Sequence, residues 1–207
     1  KYSHIFQTDP SEVNYGWTIP LWAMAMENTS CYKTKNRKVH IVSEQVGYNQ
    51  TILKAAKQAW PKSTFEIAGD TQIQFPVNDW GPVMQDLKKT DAAVIQINHW
   101  VAAEDAAFCK QFRADPVPGS LVYMQYGPSQ PEFLELGGRA TEGFCWGTVL
   151  GIYGDEMGED FRKRYLKRFP EFGTYERNTM GVVYTGNGYD IVNYLVASWN
   201  ATKAVGA

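Results

Sequence analysis

Short apolar runs alternate with amphipathic stretches along most of the chain, and that alternation predicts its architecture. Val39-His40-Ile41-Val42 follows the polar, basic segment 33–38 and reads as a buried strand entered from a surface loop. Gly47 breaks the run, and 51–60 takes helical spacing that ends at Pro61. Phe65-Glu66-Ile67-Ala68 is the next predicted strand. Asn78 or Asp79 can cap a helix running through Met84 and Leu87 to Lys89, because a short polar side chain accepts the free N–H groups of a first turn. The cycle repeats as strand 92–97, helix 102–113, strand 121–124, short helix 130–136, strand 143–149 and basic helix 159–169. Strand–helix alternation with connections of this length predicts parallel pairing and an α/β fold, a three-layer sandwich with a mainly parallel sheet. In open sheets of that kind, ligands sit outside the carboxyl ends of the strands.

Two segments fall outside the repeat. Residues 1–28 hold a short apolar start at Ile5-Phe6, a turn at Asp9-Pro10 and a long helix from Ser11, which Pro20 should kink unless it sits in the early turns. At the other end, 189–204 reads as an aromatic-bearing amphipathic helix, preceded by a glycine-rich turn at Gly186-Asn187-Gly188. That turn is no phosphate loop, since no Lys-Ser/Thr follows it. The acids Asp155, Glu156, Glu159 and Asp160 precede Arg162, Lys163, Arg164 and Lys167, an order that suits a solvated helix and its dipole.

Composition narrows the function classes. Of the 207 residues, 44% are hydrophobic and 20% charged, which is a globular balance. A formal net charge of −2 gives no basic footprint for nucleic acid. No apolar run approaches the roughly 20 residues that a membrane-spanning helix needs. Cys31, Cys109 and Cys145 show no CxxC or Cys/His spacing, so no zinc site is expected, and they read as buried, inert thiols. There is no G-x-S-x-G elbow, no phosphate loop and no paired crevice carboxylates, so an enzyme is not expected.

The order of five motifs resembles one family. FQTDPSEVNYG (6–16) is similar to the crossing into the second lobe of type I periplasmic solute-binding proteins of the branched-chain amino-acid/amide ABC transporters. KVHIVSEQVGYNQTILKAAKQA (38–59) resembles that family's strand, polar loop and helix opened by a Gly-Tyr pair. TDAAVIQINHWVAAEDAAFCKQFR (90–113) resembles its strand, crevice loop and helix. YGPSQPEFLELGGRATEGFCW (126–146) and YDIVNYLVASWNATKA (189–204) resemble a later crevice segment and the helix that follows return to the other lobe. The resemblance implies a type I lobe, with residues 1–180 as the second lobe and 181–207 as a crossover belonging to the first. Complete members are much longer, so it also implies a truncated chain that begins at the hinge.

Strand-end positions supply the candidate ligand contacts. Tyr48, just beyond the first strand, reads equally as crevice-facing or as a surface aromatic over the next helix. Asn98, His99 and Trp100 follow the strand ending at Ile97 and offer an amide, an imidazole and a flat apolar plane. His99 reads also as a plain hinge or surface histidine, since neither a nucleophile nor an orienting acid is near it in sequence. Gln125 and Tyr126 close the next strand. By the resemblance, Tyr126 falls where amino-acid-binding relatives carry an acid for the ligand ammonium, with Gln125 there instead if the register slips by one. An ammonium buried without compensating charge is costly, so the expected solute is an amide, an aromatic acid or another small acid. Trp146 reads as core or hinge packing.

The resemblance thus implies a periplasmic or otherwise extracytoplasmic binder, not an enzyme, that captures a small organic solute between two lobes and hands it to the membrane subunits of an ABC permease. It implies no cofactor, no metal and no nucleic-acid partner. A ligand-sensing module of a receptor or regulator with the same fold is the alternative.

Overall fold

Five parallel strands form one sheet in a computed structural model of the chain: β1 (Lys38–Glu44), β2 (Glu66–Ile73), β3 (Val94–Asn98), β4 (Leu121–Gln125) and β5 (Cys145–Gly147). The structure describes residues 10–147, 154–172 and 183–202. Strand order is β2-β1-β3-β4-β5, so the chain reverses its direction of travel across the sheet beside β1. That reversal opens a crevice at the carboxyl ends of β1 and β3, where Ser43 pairs with Asn98. On the other side of β1, Glu44 pairs with Ile73. β3, β4 and β1 beyond Lys38 are buried, as their apolar runs predict, although β1 and β3 also bury polar side chains. β2 is longer than its apolar start at 65–68 because it lies at the sheet edge, where alternate polar residues meet solvent.

Helices cover both faces, giving the predicted three layers. On one side lie α1 (Glu12–Asn28) and α2 (Gly47–Ala59), which bring Ile19, Ala23, Leu53 and Ala56, with Trp60 just beyond α2, onto Val39, Ile41 and Val94. α1 can approach so closely because Gly16 has no side chain: a Cβ there would lie 2.5 Å from the Ile52 carbonyl oxygen. Pro20 sits inside α1 rather than in its early turns, and the helix runs on to Asn28. On the other side, α3 (Gly81–Thr90), α4 (Ala102–Ala114) and α5 (Pro131–Gly137) bury Leu87, Phe108, Phe112 and Phe133 against Val42, Ile95, Ile97 and Met124. Trp146, in β5, is half-buried against this core and meets Phe133 edge-on. The N-cap of α3 is Trp80, one residue past the expected Asp79, and it makes no side-chain cap bond; Asp79 still accepts the Gly81 N–H at 2.8 Å.

The α1/α2 face carries one polar line through an apolar core. The Trp60 indole donates to Gln96 Oε1 at 2.7 Å. Gln96 Nε2 donates to Asn98 Oδ1 at 2.8 Å, and Asn98 Nδ2 to Ser43 Oγ at 2.8 Å. All four residues are fully buried, so each bond satisfies a group that water cannot reach.

The chain divides into two compact units, Ser11–Gly147 and Lys1–Pro10 with Thr148–Ala207. The second contains α6 (Glu156–Arg168) and α7 (Val183–Thr202). α6 follows its charge pattern: Asp155 caps it by accepting the Gly158 N–H, and Glu159–Lys163 and Asp160–Arg164 pair one turn apart. The glycine-rich turn expected at Gly186–Gly188 is instead helical, because α7 begins at Val183 and runs through it. Two glycines cost a helix about 1 kcal/mol each, too little to stop one of this length. From 188 to 202 every residue is exposed, including Tyr189, Tyr194, Leu195 and Trp199.

The expected apolar start at Ile5-Phe6, the Asp9 end of the first turn, and the ends of the 143–149 strand and the 189–204 helix lie outside the described residues. Among the described residues no helix is long and apolar enough to cross a membrane. The cysteines are unpaired as expected but not uniformly buried: Cys109 is buried, Cys145 half-buried and Cys31 exposed.

Candidate functional site

At the strand-order reversal the sequence leaves an acid and a histidine in the interior. Glu44 ends β1 and His99 follows β3, and both are fully buried. His99 Nδ1 lies 2.8 Å from Glu44 Oε2, which also accepts the Asn49 amide from the first turn of α2 at 3.0 Å. His99 Nε2 lies 2.9 Å from Glu104 Oε2, off the line of a hydrogen bond. Burial drives both partners toward their neutral forms. It lowers the imidazole to about 4 and raises the Glu44 carboxyl, the latter partly offset by the Trp100 indole and the Asn49 amide.

Two aromatic rings lie over the end of β1. Phe75 is two residues past β2 and Trp100 two residues past β3, and their rings stack at 5.8 Å and 29°. Both are well exposed, at 50% and 40%. Their loops are tied down from beneath. Glu104 Oε2 accepts the Val77 N–H at 2.8 Å, the Trp80 indole donates to the Glu104 carbonyl at 3.1 Å, and the Trp80 N–H reaches Gln111 at 3.2 Å. The Trp100 carbonyl accepts the Gln130 amide at 3.4 Å.

Beside this pair stands a hydroxyl-bearing group. Tyr48, in the first turn of α2, accepts the Gln125 Nε2–H at 2.5 Å, which leaves the buried Gln125 Oε1 without a partner. The Tyr48 and Tyr126 rings meet edge-on at 6.3 Å. Tyr126 holds φ +64°, a region where a residue with a side chain pays about 1–3 kcal/mol of strain and which gathers at functional sites. Burial pushes the Tyr48 hydroxyl up to about 12, so it stays protonated.

Behind both groups lies Asp105, in the first turn of α4. It is fully buried, and neither carboxyl oxygen has a hydrogen-bond partner. Its neighbour is the backbone of Gly127, where a Cβ would overlap the carboxylate. Burial, reinforced by Glu104 and Glu44, raises Asp105 well above the usual carboxylate range.

The structure therefore brings Tyr48, Gln125 and Tyr126 together and places Trp100 in the open at the same edge of the sheet. Asn98 and His99 turn inward, with Asn98 spent on Gln96 and Ser43 and His99 on Glu44. Glu44, Phe75, Glu104 and Asp105 had no signal in a strand-end reading. The first is a charge one expects at a surface, Phe75 follows a polar edge strand, and the last two look like ordinary first-turn helix acids. Among the described residues no group of three His, Cys, Asp or Glu side chains is arranged to hold a metal ion. A surface hollow of about 250 Å³ lies elsewhere, beside Phe112, Arg113 and Phe144.

Comparison with known proteins gives this edge a context. No curated protein matches the sequence. Among solved structures, a Silicibacter pomeroyi protein provisionally described as a branched-chain amino-acid ABC transporter is 30% identical, with a TM-score of 0.77 over 88% of this chain and 46% of its own. A type 1 periplasmic binding protein from Bordetella pertussis Tohama I is 19% identical, with a TM-score of 0.68 over 91% of this chain and 48% of its own. A branched-chain amino-acid ABC transporter protein from Thermus thermophilus, solved with bound valine, is 14% identical, with a TM-score of 0.68 over 92% and 49%. The last two are likenesses of fold alone. The chain spans just under half the length of these solved relatives. The family described as periplasmic binding protein matches residues 8–205. With nearly its whole length matched and its sheet that of a type I lobe, the chain belongs to the periplasmic binding protein family.

Proposed function

We propose that this chain supplies one lobe of an extracytoplasmic solute-binding protein, which closes on a small organic solute and delivers it to an ABC permease. The carrying observation is the convergence of Tyr48, Gln125 and Tyr126, with Trp100, at the carboxyl edge of the sheet in a member of this family. Residues 1–180 form the second lobe and 181–207 the crossover to a first lobe. The exposed Tyr194, Leu195 and Trp199 of α7 support the crossover part of that reading, since a helix apolar on its solvent side needs something to cover it. Closure follows from tighter solute contact in the closed form than in the open one.

In this reading Tyr48, Trp100 and Tyr126 touch the solute, and Gln125 Oε1 offers an acceptor to an N–H. Asn98 and His99 hold the strand ends that carry them. The solute is an amide, an aromatic acid or another small acid rather than a plain amino acid. Position 126 offers no carboxylate, Glu44 and Asp105 are buried with their carboxyls shifted toward the neutral form, and Glu104 Oε2 is taken up by the Val77 N–H beneath the loops, so among the described residues these carboxyls are poorly placed to compensate an ammonium. Calorimetry and thermal shift against small amides, aromatic acids, leucine and valine test it. Tighter binding of the amides or aromatic acids is expected, and a preference for leucine or valine overturns the solute class.

A further inference from the structure

The Phe75–Trp100 stack is not explained by folding alone. Large aromatic side chains in this unit are mostly interior, as Trp60, Trp80, Phe108 and Phe133 are. Phe75 and Trp100 instead leave much of their surface in solvent, yet both loops are fixed. The loop after β2 is tied to α4 at three points through Val77 and Trp80. Trp100 is held through its own carbonyl, through its indole on Glu44, and through its neighbour His99, which is locked on the same Glu44. An exposed aromatic surface in a pre-set position is what a binding site uses, because little side-chain freedom is left to lose.

Topology fixes where this surface lies. β1 runs between β2 and β3, so rings two residues beyond those outer strands can meet only across the end of β1. They therefore roof the strand-order reversal itself, where open α/β sheets bind their ligands. Neither Phe75 nor the stacked Trp100 ring brings an ionised group. Two rings are also far too small for a stable protein interface, which buries on the order of 1,200 Å² or more.

We infer that Phe75 and Trp100 form a subsite for the planar, uncharged ring of an aromatic solute, taken against the stacked pair while Tyr48, Gln125 and Tyr126 meet its polar end. The assignment rests on the solute-binding reading above and narrows it. Phe75 is then a specificity-determining residue.

The test compares benzamide with cyclohexanecarboxamide, which share a polar group and differ in planarity. Calorimetry on the protein, on Phe75→Ala and on Phe75→Leu measures both affinities, with melting temperature as a fold control. Benzamide should bind about three- to tenfold more tightly. The preference should vanish in both variants, Phe75→Leu included, since leucine keeps apolar area without a π face. Melting temperature should scarcely move, because Phe75 is half exposed. Equal affinity for the two amides, or a preference that survives both substitutions, overturns the subsite. So does a Phe75-dependent dimer in sedimentation without ring preference. If neither amide binds while another solute does, the subsite falls and the binding function stands. If no solute of any class shifts the protein, both fall.

Discussion

The two aromatic groups at the carboxyl edge of the sheet are built in opposite ways. Tyr48 and Tyr126 carry hydroxyls, and Tyr48 is held by a direct bond from Gln125, with Tyr126 on strained backbone. Phe75 brings no polar atom, and the stack it forms with Trp100 is held mainly from below, by Glu104 under one loop and, under the other, by Glu44, which takes both His99 and the Trp100 indole. The difference separates two tasks. A polar end must be oriented by atoms that touch it, whereas a flat apolar end needs only a surface that stays in place. Asp105 lies behind both, in contact with the Gly127 backbone beside Tyr126 and next in sequence to Glu104.

The sharpest way to break this contrast is to remove the indirect support. His99→Ala takes one of the buried hydrogen-bond partners from Glu44 and opens a cavity, and should cost about 3–5 kcal/mol of stability by urea denaturation. Trp100 emission should shift as its support loosens. Asp105→Asn sharpens the contrast through pH. The folded protein keeps the Asp105 proton, while the unfolded chain releases it above its ordinary value, so the parent loses stability as pH rises from that ordinary value toward the raised folded one. The asparagine variant should therefore gain on the parent as pH rises from 5 to 7, read from paired urea curves. His99 works in the opposite direction. Its folded value, about 4, lies below the ordinary one, so its contribution is lost as pH falls. Both proteins share that loss, and it cancels in the difference. Tyr48→Phe breaks the direct support and should cost only about 1 kcal/mol of stability, with weaker calorimetric affinity for the solute.

Much of the fold was legible. Apolar runs such as AAVIQI and LVYM can only be interior strands, and the intervening amphipathic stretches had to cover them. The boundaries that moved did so where composition misleads. Ser43 and Glu44 extend β1 because the interior supplies partners for them, and the glycines at 186 and 188 were outweighed by the helix around them. The candidate site was legible by position but not by orientation. A polar residue at a strand end faces the crevice or the core according to neighbours distant in sequence. Asn98 and His99 found theirs at Ser43 and Glu44, each 55 residues away. Phe75 was invisible because stacking on Trp100 is set by strand order, which no local pattern contains.

The buried line from Trp60 to Ser43 has a consequence of direction. An indole can only donate, so Gln96 must turn its oxygen toward Trp60 and its NH₂ toward Asn98. Asn98 must then accept from Gln96 and donate to Ser43, whose oxygen is left receiving. No amide in the line can flip without stranding a neighbour, so the line has one polarity from end to end. Its terminus, the Ser43 hydroxyl, therefore has its proton free to point onward, and a tryptophan at the far end of α2 dictates which half of a hydroxyl is left at the crevice end of β1.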